Sequence, residues 1–88
     1  MKMIVAILQD DDAESVSQAL IEAGMTVTRI ASTGGFLRQG RSTLMVGAEK
    51  EKVDDVIKLI DKNCAPSIEP MHKKATLFVL NVEHFEQI

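Results

Sequence analysis

The sequence predicts an α+β fold in which four strands and two helices follow one another in the order βαββαβ. Short apolar runs rich in β-branched residues alternate with two segments that carry apolar residues at helical spacing, and glycines stand at the breaks. With 88 residues, 45% of them hydrophobic, we expect one domain that spans residues 1–88. A chain this short buries only roughly 60–65% of its unfolded surface, so oligomerisation is the expected extra source of stability.

The first strand and helix are predicted from the first 24 residues. The apolar run Met3–Leu8 is typical of a strand buried on both faces. Asp11 is the predicted N-cap of a helix, with Glu14 as its capping-box partner, and Gly24 is the predicted end. The acidic run 10–12 is also a candidate ligand set for a divalent cation, although no second acidic cluster accompanies it. The apolar stripe of the helix is Ala13, Val16, Leu20 and Ala23.

The middle of the chain predicts a hairpin. Met25–Ser32 is rich in residues that favour strands, and Ser42–Gly47 returns as a third strand. The glycines of Thr33–Arg41 indicate the loop between them.

The last third predicts a helix and an edge strand. Apolar residues form one stripe of a helix over Glu49–Asn63, while charged residues supply its other faces. Ala65–Ser67 ends this helix, and Pro70 keeps the following segment irregular. Ala75–Leu80 is the fourth strand, and Val82–Ile88 is a short tail.

This order favours a ferredoxin-like arrangement, an antiparallel four-stranded sheet with two helices on one face. The first and third strands are then central, and the second and fourth lie at the edges. The fourth strand is apolar on both sides, but the two helices cover only one face of the sheet. We therefore expect a second copy of the sheet to cover the other face, in a closed homo-oligomer.

Composition excludes several classes of protein. The formal net charge is −3 and the only aromatic residues are three Phe, so binding to a nucleic-acid polymer is not expected. The longest apolar run has six residues, far short of the roughly 20 that span a bilayer, and the first residues lack the features of a secretory signal. A single cysteine excludes an internal disulfide and favours a reducing compartment. We expect a soluble, cytoplasmic protein with no membrane partner.

The inventory of catalytic and metal-binding groups is thin. Cys64 continues the apolar stripe of the second helix, which predicts a packed core thiol rather than a nucleophile. His72 and His84 are isolated and lack the spacing of metal ligands. We expect no enzyme, no metal site and no cofactor.

The segment from Thr28 to Gly47 is the distinctive part of the sequence. No acidic residue falls between Glu22 and Glu49, whereas three arginines do (Arg29, Arg38 and Arg41). Phe36 and Leu37 directly follow two glycines, so they are either a hydrophobic anchor for the loop or an apolar surface for a nucleobase. The nearby guanidinium groups favour a small anionic nucleotide, held in a pocket between subunits.

Several strings of the sequence closely resemble the PII-like cyclic di-AMP receptors of Gram-positive bacteria. They are Met1–Asp10, Ala31–Arg38 with Gly40 and Gly47, Ala75–Phe78 and Val82–Gln87. The resemblance implies a homotrimer of ferredoxin-like subunits that binds one dinucleotide in each inter-subunit cleft. It also implies no enzymatic activity, and signalling through loops to an unidentified protein partner.

The resemblance also implies the ligand-binding residues. Phe36 and Phe78 would flank an adenine. Thr28, Gln87 and the main chain at Gly35 and Gly47 would bind its edge or a phosphate, and Leu37 is the remaining matched position. Phe78 and Gln87 would come from the neighbouring subunit or the tail, and the alternative role of Phe78 is interface core.

Three positions depart from the family pattern. Thr26 stands where the family often has an arginine, and Arg41 replaces a usual asparagine, so Arg41 is a candidate for the phosphates or for another anionic nucleotide. A long glycine-rich loop before the last strand is shortened here to residues 64–74. The short loop would also suit a ligand-free adaptor trimer. A metal-binding trimer, like the copper-tolerance proteins of the same fold, is the third hypothesis.

Overall fold

A computed structural model describes residues 1–31, 40–65 and 74–88. The elements in it confirm the predicted order, with bounds that differ from the predictions by no more than four residues. A short 3₁₀ turn at Lys50–Lys52 precedes the second helix, which therefore begins later than Glu49. The elements are β1 (Lys2–Gln9), α1 (Asp10–Glu22), β2 (Thr26–Ala31), β3 (Arg41–Ala48), α2 (Val53–Asn63) and β4 (Ala75–Asn81).

The strands form one antiparallel sheet in the order β2-β3-β1-β4. β1 pairs with β3 from Lys2–Ala48 to Gln9–Arg41, and with β4 from Lys2–Asn81 to Leu8–Ala75. This is the predicted ferredoxin-like topology, with β1 and β3 central and β2 and β4 at the edges.

One face of the sheet, which we call the helix-covered face, packs against α1 and α2. Alternate residues of β1 and β3 point to this face, and they are fully buried among apolar residues of the two helices. The hydrophobic core therefore lies between one side of the sheet and the helices. Its fully buried members include Ile4, Leu8, Leu44, Val46, Val16, Leu20, Val56 and Ile60.

The opposite side, which we call the open face, has no helix among the described residues. It carries Met3, Val5 and Ile7 of β1, which are half-buried, and Phe78 and Leu80 of β4, which are about half exposed. The expectation that β1 is buried on both faces is therefore wrong for a single chain, because both helices pack on the same side.

The start of α1 corrects the predicted cap. The helix begins at Asp10, and Gln9 occupies the N-cap position without a side-chain capping bond, so Asp11 is not the cap. The neighbouring carboxylates make tertiary hydrogen bonds instead. Asp10 accepts from the Ser42 hydroxyl, and the buried Asp12 accepts the Ala65 N–H at 3.1 Å.

The end of α1 follows the prediction. Gly24 has φ +87°, a conformation that glycine adopts readily, and its N–H donates to the Ile21 carbonyl at 2.9 Å. The Met25 N–H donates to the Leu20 carbonyl at 3.0 Å, which completes a Schellman motif and turns the chain into β2. In the described part of the chain, no helix has the length and apolar character needed to cross a bilayer.

Candidate functional site

A cleft of about 330 Å³ opens on the open face, at the end of the sheet where β1 begins and β3 ends. Three strands and the segment after β4 surround it. Its lining residues are Met1, Lys2, Met3, Thr26, Thr28, Met45, Gly47, Val82, Phe85 and Gln87.

The strand register explains why these residues converge. Gly47 of β3 is paired with Thr26 on one side and with Met3 on the other, so these three residues form one row across the open face. Thr28 and Met45 are paired in the next row, because residues two apart on a strand point to the same face. Hydroxyl groups on β2 therefore stand beside thioethers on β1 and β3.

Gly47 provides space at the floor of the cleft. A Cβ atom at this position would lie 2.9 Å from the terminal methyl of Met1, so the flexible end of Met1 would have to shift to admit a side chain. The Met1 side chain thus occupies the place that a side chain on residue 47 would take.

The segment after β4 forms the remaining wall. The Val82 N–H donates to the Met1 carbonyl at 3.1 Å, which fixes the chain beside the start of β1. Beyond it, Phe85 and Gln87 line the cleft. His84 and Glu86 do not line it, and their Nε2 and Oε1 atoms lie 2.9 Å from each other.

The cleft brings together three of the predicted site residues, which come from distant parts of the sequence. They are Thr28, Gly47 and Gln87. The predicted residues Gly35, Phe36 and Leu37 lie outside the described residues.

Two further predicted site residues lie on described strands but away from the cleft. Phe78 shares a row with Thr28, but β3 and β1 stand between them, a separation of about 14 Å at the usual strand spacing. Arg41 and Gly47 lie near opposite ends of β3. The rise per residue places them about 20 Å apart.

Arg29, one of the three arginines between Glu22 and Glu49, lies on β2 and makes its contacts on the helix-covered face. Arg29 Nη1 lies 3.6 Å from Glu14 Oε2 on α1, and Nη2 donates to Ser42 Oγ at 3.5 Å. Arg38 lies outside the described residues. Among the described side chains that line the cleft, only that of Lys2 is charged, and its ammonium donates to the Asn81 side chain.

The cleft is therefore apolar with a few neutral hydrogen-bonding groups. Thioethers and a phenyl ring favour a flat apolar ligand group, while two threonine hydroxyls and the Gln87 amide supply donors and acceptors. Such a lining suits a heterocyclic base better than a phosphate.

Sequence reasoning missed the apolar lining of the cleft. Met3 and Met45 were assigned to strands, and alternation places them on the open face, but only the register places both beside Gly47. No local pattern identifies Phe85, because its position depends on the hydrogen bond between Val82 and Met1.

The other candidate groups that the structure describes, Cys64 and His84, do not line the cleft. Cys64 is buried in the core, which confirms the predicted packed thiol, and burial raises its pKa, with the Asp12 carboxylate raising it further. His84 is exposed, and His72 is outside the described residues. Among residues 1–31, 40–65 and 74–88, no three His, Cys, Asp or Glu side chains come together as metal ligands would.

The structure is a ferredoxin-like sheet with a small apolar cleft beside its central strands. The sequence matches the family described as cyclic-di-AMP receptor over residues 1–71, and the chain belongs to that family. This confirms the resemblance drawn from the sequence. The match includes the predicted residues of β2, the following loop and β3, and it ends before β4.

A solved structure extends the likeness to nearly the whole chain. A crystal structure of a functionally unknown protein from Pediococcus pentosaceus ATCC 25745 has a TM-score of 0.77 and 36% sequence identity. The alignment covers 99% of this chain and 96% of that chain, so it includes β4 and the cleft-lining segment after it.

Proposed function

We propose that this chain is a non-enzymatic signalling protein that binds cyclic di-AMP, or a related adenine nucleotide, in clefts between the subunits of a homotrimer. The observation that carries the proposal is the cleft, which gathers Thr28, Gly47 and Gln87 in a member of the cyclic-di-AMP receptor family. All 88 residues would form one domain. The lone cysteine suits a cytoplasmic location, and the family resemblance implies a bacterial source.

The open face supports the homotrimer. Phe78 is 51% exposed and Leu80 45% exposed, beside the half-buried Met3 and Val5 of β1. A continuous apolar sheet face of this kind is stabilised when another copy covers it. The family resemblance implies three copies.

Assembly into an oligomer would also bring together proposed ligand-binding residues that lie far apart in one chain. Phe78 lies across the open face from its own cleft, and a neighbouring subunit packed on that face would bring a second Phe78 toward it. Arg41, at the other end of β3, would supply charge to a ligand that extends along the interface. Phe36 and Leu37, with the main chain at Gly35, complete the proposed site.

Binding is tested by calorimetry with cyclic di-AMP on the intact chain, with ATP and cyclic di-GMP as controls. We expect saturation near one ligand per chain with cyclic di-AMP only. Phe36→Ala and Arg41→Ala should weaken binding and leave the oligomer intact.

A matched pair of variants tests the cleft itself. Thr28→Val removes a hydroxyl from the cleft, and Ser15→Ala removes one from the exposed side of α1, away from the cleft and from the open face. Loss of one ligand hydrogen bond should weaken binding about 2- to 10-fold for Thr28→Val, with no change for Ser15→Ala. Equal affinities in both variants would contradict the proposed cleft.

The shortened segment 64–74 keeps the adaptor trimer as a second candidate. It would form the same oligomer without a ligand. An oligomer that gives neither heat nor a shift in melting temperature with any of the three nucleotides would favour it.

A further inference from the structure

Phe85 is an aromatic residue that the fold places in water beside the cleft. Its side chain is 59% exposed, and it lies outside the hydrophobic core. A phenyl ring gains nothing from exposure to water, because its apolar surface is stabilised only when it is covered. Its contribution to the stability of one chain is therefore small.

The tail segment 82–88 holds Phe85 toward the cleft. The hydrogen bond from Val82 N–H to the Met1 carbonyl fixes the start of the segment. The contact between His84 and Glu86 occupies the polar side chains on either side of Phe85, while Phe85 and Gln87 line the cleft. The segment thus presents Val82, Phe85 and Gln87 to the cleft, whereas the polar pair of His84 and Glu86 does not line it.

The other apolar side chains that line the cleft suit a flat, neutral ring. Met1, Met3 and Met45 are flexible and polarisable side chains that adapt to an aromatic surface. The volume of about 330 Å³ is at the lower end of small-molecule pockets, so it suits one part of a dinucleotide rather than the whole.

We propose that Phe85 is a further binding residue, on which one base of the ligand stacks with the methionine thioethers on its other side. This inference rests on the proposed function and names a contact that the sequence alone does not indicate. A base has two faces, and Phe85 would cover one of them from the same chain that supplies Thr28 and Gln87.

The test compares four proteins by calorimetry with cyclic di-AMP: the wild type, Phe85→Ala, Phe85→Tyr and Ile88→Ala. Ile88 is the matched control, since it is an exposed apolar residue of the same segment that does not line the cleft. Loss of a stacked ring should raise Kd about 5- to 100-fold in Phe85→Ala. Phe85→Tyr keeps the ring and should stay within about threefold of the wild type, as should Ile88→Ala.

Two further measurements separate a lost contact from a lost structure. Thermal unfolding without ligand and the oligomer mass should be the same for Phe85→Ala and Ile88→Ala, because both side chains are exposed. A wild type that binds while Phe85→Ala binds equally well would overturn this inference alone. A wild type that binds no cyclic di-AMP would overturn the proposed function, and this inference with it. Weaker binding that Phe85→Tyr does not restore would also overturn the stacking role.

Discussion

The two faces of the sheet are built from the same strands and have opposite surroundings. On the helix-covered face, Ile4 and Leu44 are completely buried, whereas on the open face Phe78 is 51% exposed. Both faces are apolar, but α1 and α2 pack on one of them only. The helix-covered face therefore stabilises the single chain, while the apolar surface of the open face remains available for a second copy and for a ligand.

The largest expected effect is on the helix-covered face. Leu44→Ala leaves a cavity beside fully buried neighbours and should lower the free energy of unfolding by about 2–5 kcal/mol, as measured by urea denaturation. Leu80→Ala on the open face is the comparison, and its effect should change with protein concentration because it acts on assembly. Equal losses that do not depend on concentration would contradict the distinction between the two faces.

A charge on the open face tests assembly directly. Phe78→Asp would place a carboxylate on the surface that a second copy is expected to cover, where desolvation is costly. We expect light scattering to show loss of the oligomer, with the far-ultraviolet circular dichroism retained. Ser15→Asp adds the same charge to the exposed side of α1 and should leave the mass unchanged. Retention of the oligomer in Phe78→Asp would place the interface elsewhere.

A smaller effect is expected where α1 and the end of α2 meet. Asp12→Ala removes the acceptor of the Ala65 N–H, and the free energy of unfolding should fall by about 1–3 kcal/mol. Asp12→Asn retains a side-chain oxygen and should recover part of the loss. The neighbouring Asp11 is exposed, so Asp11→Ala should change stability by less than about 0.5 kcal/mol. Similar losses for Asp11→Ala and Asp12→Ala would show that the carboxylates act only through the helix dipole.

The smallest effect concerns the single thiol. Burial raises the pKa of Cys64 above its ordinary value near 9, so the folded chain should react with iodoacetamide more slowly than the urea-unfolded chain at pH 8. Because the pKa of Cys64 is higher in the folded chain, burial of the neutral thiol contributes fully to the free energy of unfolding below about pH 9. This contribution is lost as the pH rises through the folded pKa. Cys64→Ala should therefore show a weaker fall in melting temperature between pH 8 and 10.5. Equal labelling rates in the folded and unfolded chains would show that the thiol is accessible.

Local patterns were sufficient for the elements and their order. Met3–Leu8 is apolar at every position, so it predicted a strand without indicating which side the helices cover, and the stripe of Val56 and Ile60 predicted a helix. Gly24 marked the end of α1 because few other residues adopt its backbone conformation readily. The cap at Asp11 was wrong, because the choice among three aspartates depends on Ser42 and Ala65, which lie far away in the sequence.

The candidate site was predicted only in part, for the same reason. The family resemblance supplied Thr28, Gly47 and Gln87, and the structure brings them into one cleft. Phe85 could not be inferred, since a single backbone hydrogen bond between the two ends of the described chain directs it there.

The sequence by itself determined the order of the elements, the apolar character of both sheet faces and the resemblance to the cyclic-di-AMP receptors, because these depend on residue types and their spacing along the chain. The tertiary structure alone decided which face is covered, which carboxylate bonds to which donor, and which side chains surround the cleft. Those features depend on strand register and on contacts between residues up to 81 positions apart, as between Met1 and Val82, and no local pattern encodes them.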